Sequence, residues 1–389
     1  MQSRQEHKLL LCYFLISFGS SMSMITTFIQ INPYFGKMEF LAYALSARTL
    51  VMMAASLSLQ RILQSFKVRN ILFYSQLFGV ISTISIMVGF SSNSYLLVFL
   101  GIVLGGLPAN ILNVCTTSTL KNMIMDEFIY RKISGTREIA SGCALIGAGL
   151  LAPILSHLIN IHYIFLFTAI VYLLTSIYIL LSDMSFGELD EPEIASVNIS
   201  LKSVFTSKPF ILFQISVFAS LILIGLFPIV AGTKDLIPNF EINDILRGNL
   251  WALEGVAVFS MGLVYIIANK VKHSPYVYLL FLNAVLIFLL TVFTSTFSLF
   301  LICFAFNFLM SMAFLKFKDD LLIIAGSNRN LVNSYTTLAH FIRSLLCTIS
   351  PLLLTIMFGG LGFYKSIMYI FIYQLGLLIL YIFINKFKS

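Results

Sequence analysis

Long apolar runs separated by short polar gaps occupy almost the whole chain. A hydrocarbon core needs about 20 apolar residues per helix, and about twelve runs of that length are present. They lie near residues 9–31, 41–60, 71–90, 94–117, 138–158, 162–182, 209–231, 247–269, 276–294, 297–316, 333–358 and 363–385. The expected fold class is an all-α polytopic membrane protein, with about twelve transmembrane helices in two pseudo-symmetric six-helix bundles. An even number of spans puts both termini on one side.

Lys and Arg collect in every second gap. Arg61, Lys67 and Arg69; Lys121, Arg131 and Lys132; Lys202 and Lys208; Lys270 and Lys272; and Lys316, Lys318 and Arg329 share a side with Arg4, Lys8, Lys386 and Lys388. The opposite side has Lys37, Lys234, Arg247 and Lys365, outside or bordering the spans. The positive-inside rule makes the termini cytoplasmic and predicts a multi-pass protein of the cell inner (cytoplasmic) membrane. The net charge of +8 then reports topology and contact with the anionic headgroups of the lipid bilayer. It does not indicate nucleic-acid binding, because the basic residues are spread over short loops instead of forming one stripe. The first run follows Arg4 and Lys8, as in a signal peptide, but is longer than an h-region and lacks an Ala-x-Ala-like site, so it is expected to be a retained helix.

Composition excludes a water-exposed surface. The 389 residues are 59% hydrophobic and 10% charged, whereas soluble domains carry roughly 25% charged residues. Cys12, Cys115, Cys143, Cys303 and Cys347 lie in apolar stretches without a Cys-x-x-Cys pair, and are expected to be buried small hydrophobes, not disulfides or metal ligands.

The longest polar connection, Asp183 to Lys208, carries Asp183, Glu188, Asp190, Glu191 and Glu193. It divides the chain into an N-terminal six-helix bundle (1–182), a cytoplasmic linker (183–208) and a C-terminal six-helix bundle (209–389). The acidic cluster reads as a solvated linker, with partner binding as the alternative. Two six-helix halves joined in this way are the plan of a secondary transporter.

Several stretches resemble the major facilitator superfamily. Leu100-Gly101-Ile102-Val103-Leu104-Gly105-Gly106-Leu107-Pro108-Ala109 is similar to the family's fourth-helix motif, with Gly101 where its Arg usually stands. Arg137-Glu138, Ser141-Gly142, the run from Gly147 to Pro153, and His162 to Phe167 resemble the fifth helix and the start of the sixth. The loop from Gln60 to Arg69 keeps the basic residues of the family's Gly-x-x-x-Asp-Arg-x-Gly-Arg-Arg pattern but lacks its glycine and aspartate, and the fifth helix lacks the Gly-Pro pair of drug/proton antiporters. The resemblance implies alternating access, with the first, fourth, seventh and tenth helices lining a central cavity. Those helices offer Gln30, Asn110, Asn113, Gln214 and Asn307 as cavity-lining amides, which equally serve to hydrogen-bond neighbouring helices.

Charges within a bilayer cost about 2.5 to 3.5 kcal/mol on insertion scales, so each needs a partner or a wet cavity. Arg48, Glu254 and Arg343 fall about 10 to 15 Å inside their spans at 1.5 Å per residue. Glu254 is the candidate proton-coupling carboxylate, its alternative being a permanent ion pair with Arg48 or Arg343. The planar fork of Arg343, with His340 one turn earlier, suits a carboxylate or phosphate of a substrate, the alternatives being a structural ligand to carbonyls and, for His340, packing. Arg137 and Glu138 are expected in an interfacial gate network.

No His-Glu-x-x-His, Asp-rich metal motif, Gly-rich phosphate loop or filter-like pore segment is present, which argues against an enzyme, an ATP-driven pump and a channel, and implies no catalytic residue, metal or cofactor. The expectation is a monomeric major facilitator carrier that exports a small amphiphilic molecule such as a drug, siderophore or peptide-like antibiotic in exchange for protons. The alternatives are a proton-linked importer of an anionic metabolite or sugar derivative, for which Arg48 and Arg343 would serve as counter-charges, and a polytopic protein without transport.

Overall fold

The computed structural model describes residues 2–35, 38–123, 127–182, 243–267, 281–282, 284–289, 295–325 and 329–387, with some helical side chains in these ranges left out. The expected linker and the expected span at 209–231, which carries Gln214, lie outside the described residues, as does most of the span at 276–294. The described helices are α1 (Gln2–Phe35), α2 (Met38–Ser65), α3 (Val68–Ser91), α4 (Tyr95–Leu104), α5 (Leu107–Met123), α6 (Glu127–Leu158), α7 (Ile161–Leu181), α8 (Asp244–Ile267), α9 (Thr296–Ala325), α10 (Arg329–Leu361) and α11 (Phe363–Phe387). Among the described residues, nine segments are long and apolar enough to cross a membrane, with a shorter apolar helix at Thr296–Met312. The chain is an all-helical polytopic membrane protein.

Helices are the element of choice because hydrocarbon offers nothing to backbone N–H and C=O groups, which must therefore bond within the segment. Side-chain hydroxyls follow the same rule. Thr27, Ser56, Thr83 and Thr168 each donate to the carbonyl four residues earlier, at 2.6, 2.9, 2.7 and 2.9 Å. The outward faces carry large apolar side chains, as on α7, where Leu166, Ile170, Leu173, Leu174 and Leu181 are exposed. Such a patch suits lipid and not water. Cys143 is exposed on this lipid-facing side of α6, a departure from the burial expected for all five cysteines, because its neighbour Gly142 is the residue turned toward α8.

The fourth span is built in two pieces. Gly105 and Gly106 separate α4 from α5, and Pro108 stands at the second position of α5, where its missing N–H costs no intrahelical bond. The glycines also admit neighbours. A Cβ on Gly101 would fall 2.4 Å from Ile86 Cγ1, and one on Gly106 would fall 2.8 Å from Arg48 Cγ. Gly101 therefore stands where α3 crosses, and Ser82 donates to its carbonyl at 2.7 Å.

The two halves meet chiefly where α6 packs on α8 and α2 packs on α10. Along the first of these, Gly135, Gly142 and Gly149 face Gly262, Gly255 and Gly248 in antiparallel order. A Cβ on Gly142 would lie 2.6 Å from the Phe259 backbone nitrogen, and one on Gly149 would lie 2.5 Å from that of Ala252. Spacing by seven keeps a stripe on one face of each helix, the geometry of shallow crossings near +20°. Across the second contact, the hydroxyls of Thr49 and Thr348 are 2.8 Å apart and hydrogen-bonded. A core of Phe28, Trp251, Leu354 and Ile367, among others, draws on both halves, and Phe28 and Trp251 have ring centroids 5.6 Å apart.

The glycine seam makes a sharp prediction. Gly142→Ala should destabilise the protein by about 1–3 kcal/mol, because the new methyl meets backbone that cannot rotate away. Gly376→Ala on α11, where nothing lies within 4 Å, should be neutral or slightly stabilising. Melting curves of the two detergent-purified variants would check this, and equal melting temperatures would contradict it.

Candidate functional site

A polar cluster inside the N-terminal half joins α1, α5 and α6. Arg137 of α6 is 4% exposed, and its guanidinium donates from Nη1 to Thr117 Oγ1 at 3.0 Å and from Nη2 to Glu138 Oε1 at 2.8 Å. Its Cζ lies 5.2 Å from the ring centroid of Tyr13, a cation–π distance. The Tyr13 hydroxyl donates to Asn113 Oδ1 at 3.1 Å and is hydrogen-bonded to the Thr116 hydroxyl. Ser141, one turn beyond Arg137, reaches Ser17 at 3.4 Å. Because α6 starts at Glu127, ten residues before Arg137, the guanidinium is roughly 15 Å along the helix. Counted from Arg131, where the membrane-spanning part of α6 begins, the pair lies six and seven residues in.

Local sequence explains the assembly. Asn113, Thr116 and Thr117 lie three or four residues apart, which puts them on adjoining faces of α5. Tyr13 contributes a ring that packs in the apolar core with Leu9, Ile16 and Cys115, and a hydroxyl that needs a partner when buried. Tyr13, Thr116 and Thr117 do not stand out along the chain. A tyrosine near the start of an apolar run, and hydroxyls grouped beside an amide, were the available signals.

The other expected residues are distributed differently. Asn110 is buried and donates to the Met52 carbonyl and to Ser56 Oγ, each at 3.0 Å, which ties α5 to α2. Asn307 is buried on α9 and donates to the Cys303 carbonyl of its own helix at 3.0 Å. Gln30 is half-buried toward the end of α1. Glu254 is half-buried on α8 and close enough to Cys303 of α9 to act on it electrostatically. His340 and Arg343 occupy α10, and their side chains lie outside the described residues, as does all of Gln214.

Arg48 stands apart from Glu254. Its Nη1 donates to Met24 Sδ at 2.9 Å, and no carboxylate among the described residues pairs with it. Arg247, read from sequence as a loop charge bordering its span, is 2% exposed. It donates to the Phe28 carbonyl at 3.4 Å across the two halves and lies 3.5 Å from Asp244 Oδ1, one turn earlier. The reason is its place in the first turn of α8, which the core packing of Leu250 and Trp251 carries against α1. Among the described residues, no group of three or more His, Cys, Asp and Glu is placed to hold a metal ion.

The Arg137–Glu138 pair can be tested by removing its members in turn. Arg137→Gln leaves a carboxylate without its guanidinium, which costs about 3–5 kcal/mol in a fully buried pair. Glu138 keeps 22% side-chain exposure, so the loss should fall below that range. Arg137→Gln/Glu138→Gln should recover part of it. A double-mutant cycle in thermal stability checks this, with additive losses as the contrary result.

The comparisons with known proteins agree with this architecture. The Major Facilitator Superfamily model matches residues 9–351. Among solved structures, the crystal structure of the nucleoside transporter NupG is similar over 98% of this chain and 99% of that chain, with a TM-score of 0.68 and 13% sequence identity. No curated protein matches. With the family model spanning most of the chain, and with apolar helices arranged in the same fold, this protein belongs to the Major Facilitator Superfamily and is a secondary transporter of a small-molecule substrate, not an enzyme.

Proposed function

We propose that the chain exports a small amphiphilic organic molecule in exchange for protons, with Glu254 as the coupling carboxylate and the Tyr13–Arg137–Glu138 cluster as part of the substrate path. The observation that carries this reading is the scarcity of acids. Away from their ends, the described spans hold two carboxylates, Glu138 and Glu254, both half-buried and one in each half. A carboxylate in a partly dry site favours its neutral form and can exchange a proton as access alternates. Glu138 is paired with Arg137, and Glu254 is the candidate for the cycling proton.

The cluster suits an amphiphile, since it offers donors and acceptors from Tyr13, Asn113 and Arg137 next to the stacked rings of Phe14 and Phe18, whose centroids are 6.1 Å apart. Depth supports the export direction. With cytoplasmic termini, Tyr13 lies six residues past the start of the first span at His7, about 9 Å from the cytoplasmic end, where solute would load from inside the cell. The termini and the cell inner membrane are part of this proposal, as are the division at 183–208 and a monomeric state.

In proteoliposomes, Glu254→Gln should abolish accumulation driven by a pH gradient while leaving solute counterflow intact. Driven accumulation at the level of the unmodified protein would remove Glu254 from coupling. The assay needs a substrate first. It is found by screening drugs, siderophores and short peptides for a solute-triggered proton signal.

A further inference from the structure

Within the N-terminal half, away from the Arg137 cluster, a narrow cavity opens between α1, α2, α3, α4 and α7. Arg48 lines it together with Ser20, Ser23, Thr27, Ser82 and Tyr172. Its volume of about 10 Å³ is the room of one water-sized sphere. Tyr172 enters from α7 between Gly19 and Gly79, where a Cβ on Gly79 would fall 2.7 Å from the ring, and it lines the cavity together with Ser20.

The donors and acceptors do not balance. Thr27 and Ser82 direct their hydroxyl protons to the carbonyls of Ser23 and Gly101, at 2.6 and 2.7 Å. Arg48 carries five N–H donors and one positive charge. Among the described residues, a single one of those donors has an acceptor, the Met24 thioether, which is a weak one. Arg48 is half-buried, and the rest of its guanidinium borders the cavity. Gly106 admits the Arg48 stem, since a Cβ there would fall 2.8 Å from Arg48 Cγ, so the chain makes room for this cation without supplying a carboxylate among the described residues. A fixed charge in a membrane interior otherwise comes with a partner.

We propose that this cavity is a binding site for a compact monovalent anion, with Arg48 as the counter-charge and Ser20, Ser23 and Tyr172 as supporting hydroxyls. One guanidinium balances one negative charge, and room for about one water-sized sphere favours a halide ion over the larger carboxylate, which the test below tells apart. A phosphate, with four oxygens and up to two charges, is excluded. The site stands independently of proton coupling at Glu254.

The test is thermal melting of the purified full-length protein at constant ionic strength. Sodium HEPES, whose sulfonate is attached to a bulky ring, is replaced stepwise by chloride in one series and by acetate in another. A saturable rise in melting temperature is expected, because a ligand that binds the folded state raises stability with its concentration. A rise in chloride assigns the site to a free halide. A rise confined to acetate assigns it to a carboxylate, and so to an end of the transported solute. Arg48→Gln should abolish the response, and Arg48→Lys, which keeps the charge and loses the planar fork, should weaken the apparent affinity about tenfold. Absence of any rise in the unmodified protein overturns the proposal, as does an undiminished response in Arg48→Gln. No gradient or transported substrate enters the measurement, so its failure is separate from failure of the coupling reading.

Discussion

Inside hydrocarbon, a polar group cannot turn to water, and each donor, acceptor and charge of this chain must be met by another part of the chain or by a ligand. That constraint makes every described span helical and sends the hydroxyls of Thr27, Ser56, Thr83 and Thr168 back to their own helices. It also sorts the arginines. Arg137 is met by Thr117, Glu138 and the Tyr13 ring. Arg247 is met by a carbonyl from the other half and by Asp244. Arg48 has a sulfur atom and a hydroxyl-lined space.

These arrangements divide labour between the two halves. The N-terminal half holds both a cation paired with a carboxylate, on α6, and one without a carboxylate among the described residues, on α2. The C-terminal half contributes Glu254, on the helix that packs most closely against α6. Under the proposed coupling, a proton arriving at Glu254 would change the charge of α8 next to the helix carrying Arg137, and a titration in one half would be felt at the interface with the other. Such proximity lets a carrier link the protonation of one half to the position of its partner without a long relay.

Much of this was legible in the sequence, and the limits have physical causes. The apolar runs placed the described spans closely, because the bilayer sets helix length: the runs at 9–31, 71–90 and 363–385 became His7–Ile31, Val68–Ser91 and Phe363–Ile384. Arg48, Glu254, Arg137 and Glu138 stood out because ionisable groups in spans are rare. Their partners did not, since contacts such as Arg137–Thr117, twenty residues apart, and Arg247–Phe28, over two hundred apart, are set by helix packing. Arg247 shows the limit best, for a charge at the border of a run has the same sequence pattern whether it faces water or a neighbouring helix. The spacing by seven of Gly135, Gly142 and Gly149, and of Gly248, Gly255 and Gly262, is visible along the chain. Their opposition in space is not.

That opposition has a mechanical meaning. Most helix pairs lock through knobs of one seated in holes of the other, so turning one against its partner forces side chains across rotamer barriers. Along α6 and α8, the nearest atoms are main-chain ones at Gly142, Gly149, Gly255 and Gly262, while the side chains of Ile266 and Pro153 seat on Gly135 and Gly248. The joint is thus main chain against main chain at its middle and a side chain in a glycine notch at each end. In a carrier that alternates access, such a joint would let the halves pivot about the middle while the notched ends keep them in register.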